Sequence, residues 1–365
     1  MILKENPDYL QKVYQAIWRA CGATKKHAKI MAHCISMGDR NGKMGQGMAV
    51  FEIPFFMWEH QMLDIKARPS IVQKGKNYVV VDGNRGDGQN TAWFAMKKAI
   101  KKARKNTFGI AFLRNFNDIG FQAAYIREAL KHDMIGIGMV NTVPLTAPYG
   151  GREAKVTAAP FTVVCPAEKE LPIIFDSAVS EAYDYDMVMR AIDNRKMDKP
   201  LLIDPNTGEL TDDPKPYVEQ PYNRISAILA PTVFSSPKLY GFNVFTEILT
   251  GLLTPGGLHV NQIPYPASEY ETGDAPTSVG GGFFMAINIA DIMPVDMFKA
   301  KVDDYIRSVK SSKPAKGFSE VFMPGERGQR KEKQFQKEGV PFRKSAWEKF
   351  LENAAKVGVD VESFR

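Results

Sequence analysis

The stretch from Phe108 to Val140, FGIAFLRNFNDIGFQAAYIREALKHDMIGIGMV, decides the fold. It opens on the apolar run Phe108–Leu113 and ends on Ile135–Val140. Between the runs Ala123, Ala124, Ile126, Ala129 and Leu130 recur at helical spacing. Apolar runs this short read as buried strands, and the order strand–helix–strand predicts a mixed α/β core. Phe161–Cys165, Ile173–Phe175 and Phe283–Ile289 supply further strands.

Toward the N-terminus, Asn6-Pro7-Asp8 reads as a helix start with proline at the first helical position. Leu10, Val13, Tyr14, Ile17, Trp18 and Cys21 follow on one face, and Gly22 ends the helix. Thr24 caps a second one that carries Ala28, Met31, Ala32 and Ile35. The segment Gly38–Gly47 holds four glycines and reads as a loop able to approach a ligand closely. Tyr78–Val81 is a strand closed by the turn signal Asp82-Gly83, and Thr91 begins a helix through Ala95, Met96, Ala99, Ile100 and Ala103. Toward the C-terminus, helices are expected over Phe242–Leu253, Val295–Val309 and Ser345–Val357. Residues 192–224 are polar, with Asn206-Thr207-Gly208, and read as a long excursion or small lid. Residues 311–343 are poor in apolar side chains and are expected to be partly extended.

The chain has 365 residues, 44% hydrophobic and 24% charged, which is ordinary for a globular protein and argues against disorder. No signal peptide is expected in Met1–Asp8, and no apolar window approaches the ~18 residues of a membrane span. Cys21, Cys34 and Cys165 are scattered and odd in number, so a reducing cytoplasm is expected. The net charge is +7. Much of it lies in Lys97, Lys98, Lys101, Lys102, Arg104 and Lys105, and in the basic stretch from Arg327 to Lys344. No nucleic-acid motif accompanies either cluster, so the first reads as a solvated face. Neither nucleic acid nor membrane is an expected partner. The five histidines are dispersed, and no metal site is expected. There is no Gly-x-Gly-x-x-Gly after a strand, no phosphate-binding Gly-x-x-x-x-Gly-Lys loop and no nucleophile elbow.

Six blocks in order carry a resemblance instead. They are Asn115-Phe116-Asn117-Asp118-Ile119-Gly120, Asn141-Thr142, Ala147-Pro148-Tyr149-Gly150-Gly151-Arg152-Glu153-Ala154, Phe175-Asp176-Ser177-Ala178-Val179-Ser180, Lys238-Leu239-Tyr240-Gly241 and Pro324-Gly325-Glu326. Together they resemble the malate/L-lactate dehydrogenase-like family of nicotinamide-dependent oxidoreductases. That resemblance implies an α/β, non-Rossmann NAD(P)-binding fold with a mixed sheet and flanking helices, assembled as a homodimer. It implies a core of residues 115–290 that binds the cofactor, and a substrate and dimerisation part from residues 1–114 with 291–365. Position by position it assigns cofactor contacts to Thr142, Asp176, Ser177, Ala178, Lys238, Gly325, Glu326 and Arg327. The cofactor is NAD or NADP, and Arg327 with Arg330 favours NADP because fixed cations suit a phosphate.

Departures from the pattern fall where the chemistry lies. The family's Ser-His-Gly is here Gly45-Gln46-Gly47, and the histidine of its Asn-Ser-Asn-His is here Asp118. An arginine that holds a substrate carboxylate aligns with Val50, and Gly-Thr-Asn-Pro is here Thr157-Ala158-Ala159-Pro160. Glutamine orients or polarises but exchanges no proton near neutral pH. A carboxyl can do so when burial raises its pKa. Asp118 is therefore the expected acid–base group, with Gln46 and Asp176 beside it. The expected activity is hydride transfer between nicotinamide and a small polar carbonyl, hydroxy or imine substrate. Two alternatives stay open: the same fold running a lyase, hydratase or isomerase reaction, or a non-catalytic binding protein.

Overall fold

A computed structural model describes residues 2–158, 160–180, 182, 184–204, 206–218, 237–263 and 279–365. Ala159 of the fourth departure and residues 205 and 219–224 of the 192–224 excursion therefore lie outside the described residues.

The N-terminal strand β1 (Ile2–Glu5) leads into α1 (Pro7–Ala20) and α2 (Lys25–Arg40). The Asn6 side chain accepts hydrogen bonds from the Asp8 and Tyr9 amides at 2.8 and 3.1 Å, and Thr24 Oγ1 accepts from the His27 amide at 3.2 Å. Both caps are as expected. The third helix, α3 (Met48–Glu59), is apolar nearly all round and is buried accordingly. Phe51 lies 5.0 Å from Trp18 and 5.4 Å from Phe350, centroid to centroid.

Next come β2 (Ser70–Lys74), β3 (Tyr78–Gly86), α4 (Gly88–Asn106) and β4 (Phe108–Phe116). The short α5 (Ala123–Ile126) tightens into a 3-10 turn over Arg127–His132 before β5 (Met134–Thr142). β6 (Pro144–Thr146) pairs with β7 (Val156–Thr157), and β8 (Pro160–Cys165) and β9 (Ile173–Ala178) follow. Helix α6 (Asp184–Ile192) precedes the small pair β10 (Leu202–Ile203) and β11 (Leu210–Thr211), which closes over a satellite core of Met187, Met197 and Tyr217. The remainder is α7 (Pro237–Glu247), β12 (Val279–Asn288), α8 (Val295–Lys310), α9 (Glu326–Glu338), β13 (Val340–Arg343) and α10 (Lys344–Lys356).

Seven strands form one sheet in the order β2-β3-β4-β12-β5-β8-β9, with β3 and β4 parallel and the other neighbours antiparallel. The mixed sheet is thus as predicted. One hydrophobic core packs α4 and α5 on this sheet, through Ala92, Ala95, Ala99 and Ala103 on the helix and Ala111, Leu113 and Phe284 on the strands. Alanines let α4 lie close: a Cβ on Gly109 would sit 2.0 Å from the Ala99 carbonyl oxygen. A second core joins α1, α2 and α3 to β13 and α10, so the two ends of the chain share one cluster, tied further by β1 pairing with β13.

Four expectations change. The strand closed at Asp82-Gly83 runs on to Gly86, because the Asp82 carboxylate is held by Arg114 Nε at 2.8 Å and Asn115 Nδ2 at 2.9 Å from the neighbouring strand. Helix α4 starts at Gly88, not Thr91, because Asp87 caps it, with Oδ2 accepting from the Asn90 amide at 2.7 Å. The helix expected over Phe242–Leu253 starts earlier, at Pro237, and passes into a wide π-type turn over Ile248–Leu252. Residues 311–343 are extended only in part, ending in β13, and also contain the helix α9. Its Glu, Gln, Lys and Arg residues are good helix formers but bury almost nothing, so no apolar period announces it.

Candidate active site

Three distant segments meet around a cleft of about 520 Å³. They are the turn after α2 (Asn41 to Lys43), the middle of β9 (Ile174 to Asp176) and the start of α9 with the residues before it (Phe322 to Lys331), and Phe121 adds a fourth wall. Hydrogen bonds hold them in place. The Ile174 amide donates to Pro324 O at 3.1 Å, and Gln329 Nε2 donates to Pro172 O at 3.0 Å. Lys43 Nζ donates to Asp176 O at 3.4 Å.

Two glycines make this approach possible. Gly325 has φ +83°, and a Cβ there would stand 2.3 Å from Ile174 O. Gly42 has φ +66°, and its Cβ would meet Lys331 Cδ at 2.5 Å. Side chains at either position would be strained and would fill the cleft.

Three exposed cations, Lys43, Arg327 and Lys331, share the cleft with the rings of Phe121, Phe175 and Phe322. The Arg327 guanidinium stacks 4.9 Å from the Phe322 centroid. Arg330 is spent differently: it forks onto Glu320 at 2.8 and 2.7 Å and also binds Glu326. Fixed cations beside apolar rings are the donor set that an anionic ligand carrying aromatic rings requires, and the glycine cradle leaves room for it.

The Asp176 carboxylate accepts from the Ala123 amide at 2.7 Å, which ties β9 to the first turn of α5. Burial raises its pKa, against the opposing effects of that amide and of Lys43. Asp118 lies on the loop that runs from β4 to α5. It is half-buried, with Oδ1 accepting from the Gly120 amide at 2.9 Å. The neighbouring Asn117 is stitched to the end of β3, its amide donating to Gly86 O at 3.1 Å. Gln46 closes a 3-10 turn, and its amide donates to Lys43 O at 2.8 Å. Neither Gln46 nor Asp118 is part of the cleft wall. Each is carried on a segment that is, Gln46 just after Lys43 and Asp118 just before Phe121.

The other expected contacts divide. Gly325 and Arg327 line the cleft, and Ser177 and Ala178 continue β9 beyond Asp176. Thr142 ends β5, where its amide donates to Thr157 Oγ1 at 3.0 Å. Glu326 is buried, and its carboxylate is engaged by Lys310, Arg330 and the Met323 amide. The side chains of Lys238 and Val50 lie outside the described residues.

Sequence reasoning missed Lys43, Lys331 and Asp39. Asp39 is buried in α2, and burial pushes its carboxyl up to about 7. It accepts from Tyr14 Oη at 2.7 Å and from the Met48 amide at 2.8 Å. A Cβ on Gly47 would lie 1.9 Å from Asp39 Oδ1, so this buried carboxyl shapes the Gly45-Gln46-Gly47 turn directly. An acidic residue on the apolar face of α2 was the available signal.

Comparison with known proteins agrees with this architecture. The malate/L-lactate dehydrogenase family profile matches residues 6–351. A malate dehydrogenase of Pyrococcus abyssi is 30% identical over 345 residues, covering 93% of this chain and 90% of that protein. An L-sulfolactate dehydrogenase of Methanocaldococcus jannaschii is 29% identical over 370 residues, covering 100% and 99%. The solved malate dehydrogenase structure from Pyrococcus horikoshii OT3 superposes with a TM-score of 0.85 at 26% identity, covering 98% of this chain and 97% of that one. This chain belongs to the malate/L-lactate dehydrogenase family of oxidoreductases.

Proposed function

We propose that the protein is an NAD(P)-dependent oxidoreductase acting on a small polar carbonyl, hydroxy or imine substrate, with Asp118 exchanging the proton. The observation that carries this reading is the cleft in which Lys43, Arg327 and Lys331 face Asp176 across a floor of glycine. When bound, the nicotinamide supplies or accepts the hydride. The cations hold its phosphates, with Arg327 favouring NADP over NAD. The β9 segment Asp176-Ser177-Ala178, Thr142 and Lys238 complete the cofactor contacts, together with Gly325 and Glu326 at the start of α9.

Reduction of a carbonyl leaves an oxygen that must gain a proton, and oxidation of the alcohol must lose one. Asp118 holds or takes that proton. The Gln46 amide donates a hydrogen bond to the same oxygen and keeps it oriented, without exchanging protons itself. Asp176 orders the junction of β9 with α5 between them. With Val50 in place of a carboxylate-holding arginine, substrates other than 2-oxo acids are included in this reading.

A second copy of the chain completes the proposal. Val244, Phe245, Ile248, Leu252 and Leu253 expose a continuous apolar surface on α7 and the turn after it, the kind of face a homodimer covers. The division into residues 1–114 with 291–365 and a core of 115–290 belongs to the same reading. It is supported by the core that α1–α3 share with β13 and α10. A cytoplasmic setting is supported by three unpaired cysteines. Among the described residues, no helix is long and apolar enough to cross a membrane.

The test is turnover of a panel of small oxo acids, hydroxy acids and cyclic imines, followed by NADH and NADPH absorbance. Cofactor-coupled turnover is expected. Turnover that survives complete cofactor removal would overturn the reading in favour of a lyase, hydratase or isomerase.

A further inference from the structure

Next to the Asp118 peptide the fold buries polar groups that the mechanism above leaves unused. Gly88, the first residue of α4, is pressed onto the chain at this point: a Cβ there would stand 1.9 Å from Asn117 O and 2.4 Å from Asp118 O. The residue before it, Asp87, is therefore brought against the Asp118 peptide. Asp87 is 5% exposed. Its Oδ2 caps α4, bonding the Asn90 amide at 2.7 Å and Asn90 Nδ2 at 2.8 Å, but its Oδ1 is buried without a hydrogen-bond partner.

Other buried groups on α4, on α5 and just before α5 are also unpartnered: both polar atoms of Gln89, the Tyr125 hydroxyl and Gln122 Nε2. Tyr125 lies within electrostatic reach of Asp87, Asp118 and Asp176 together, and Cys34 of α2 within reach of Asp87. The helix N-terminus and the Asn90 bonds favour the Asp87 anion, while burial and the charge of Asp118 oppose it. The opposing pair wins, and the carboxyl is pushed up to about 7.

We propose that Asp87 is a positioning residue that acts through Asp118: the two carboxyls hold one proton between them, so that the pair does what a single histidine would do. The inference rests on the reading of Asp118 as the proton-exchanging group. In carbonyl reduction the shared proton passes from Asp118 to the substrate oxygen, which leaves both carboxyls ionised until a proton from water restores the pair. Net, one carboxyl O–H bond breaks and one substrate O–H bond forms. Oxidation runs the same transfers in reverse. Two nearby carboxyls that cannot both ionise easily titrate as a unit, and the second proton is lost only at raised pH.

The test compares wild type with Asp87→Asn, which keeps a capping side chain, and with Asp118→Asn; Asp87→Ser, also a good cap, is the second variant should the first not fold. Wild type and Asp87→Asn are compared first without cofactor, by difference infrared spectra across pH. A protonated carboxyl titrating near neutrality should be lost in the variant, over a signal from Asp39 that both proteins share. With cofactor, Asp87→Asn should lower kcat/KM for reduction at least about tenfold. It should also move the alkaline limb of the profile down by about one pH unit, because Asp118 no longer ionises against a neighbouring charge. A helix-capping role alone would move neither. Coincident infrared spectra, or an unchanged rate and profile with Asp118→Asn inactive, would overturn the role of Asp87 and leave Asp118 standing. Full activity in Asp118→Asn would remove both.

Discussion

The cation cleft and the buried carboxyls lie on adjoining segments and handle charge in opposite ways. Lys43, Arg327 and Lys331 keep their charges exposed to solvent. They give up little hydration and stay available to an incoming anion. Asp87 and Asp39, by contrast, are almost fully enclosed, and burial pushes both carboxyls up to about 7. A charge in the open binds, whereas a charge in the interior is driven to neutrality and becomes a proton store. One fold thus holds an exposed cationic surface and buried carboxyls poised to titrate, without using histidine for either.

Substitutions can break that contrast from either side. The largest effect is expected at the junction. Asp118→Asn should lower kcat by ~10²-fold or more with KM little changed, as measured in steady state, and a loss below about threefold would remove Asp118 from the chemistry. On the cleft side, Gly325→Ala places a Cβ 2.3 Å from Ile174 O at φ +83°. It should destabilise the protein by about 1–3 kcal/mol in denaturant titrations and weaken cofactor binding as well.

Removing one exposed cation should do less. Arg327→Ala should weaken NADPH binding about tenfold and NADH binding by a smaller factor, with a shallower salt dependence than wild type. Equal losses for the two cofactors would assign Arg327 to the shared pyrophosphate instead.

A separate effect, which leaves activity aside, is on stability against pH. The Asp39 carboxyl sits at about 7 in the folded protein against 3.8 ordinarily, so the native state holds its proton more tightly. Its contribution to stability is complete below about pH 3.8, declines as pH rises and is lost above about 7. The slope from this one group is at most about 1.4 kcal/mol per pH unit. Asp39→Asn should flatten the wild-type decline between those limits in melts followed by circular dichroism.

The same contrast explains what was legible in the amino-acid sequence. Strands such as Phe108–Phe116 and Met134–Thr142 announce themselves because one face is buried and the other largely covered, which favours continuous apolar runs. Helix α9 does not, since it is held by its ends and by charged side chains rather than by an apolar stripe. In the site, Asp118, Asp176 and Arg327 stand in blocks that resemble a family pattern, and the structure brings Asp176 and Arg327 to one cleft. Lys43 and Lys331 escaped notice because their meeting depends on Gly42 lying under Lys331, a contact between opposite ends of the chain. Asp87 was hidden for a related reason. The helix was expected to begin at Thr91, which left Asp87 outside it, and only the seating of Gly88 on the Asn117–Asp118 peptide shows that its carboxyl is enclosed.

Cofactor binding by the cation cleft is the property to measure first. Purified wild-type protein and the Arg327→Ala, Lys331→Ala double variant should be titrated with NADPH and NADH, following nicotinamide fluorescence. The expected result is saturable binding to wild type, tighter for NADPH, and weakening of at least about tenfold in the double variant. Absence of binding by either nucleotide at millimolar concentration, or equal binding by both proteins, would contradict it.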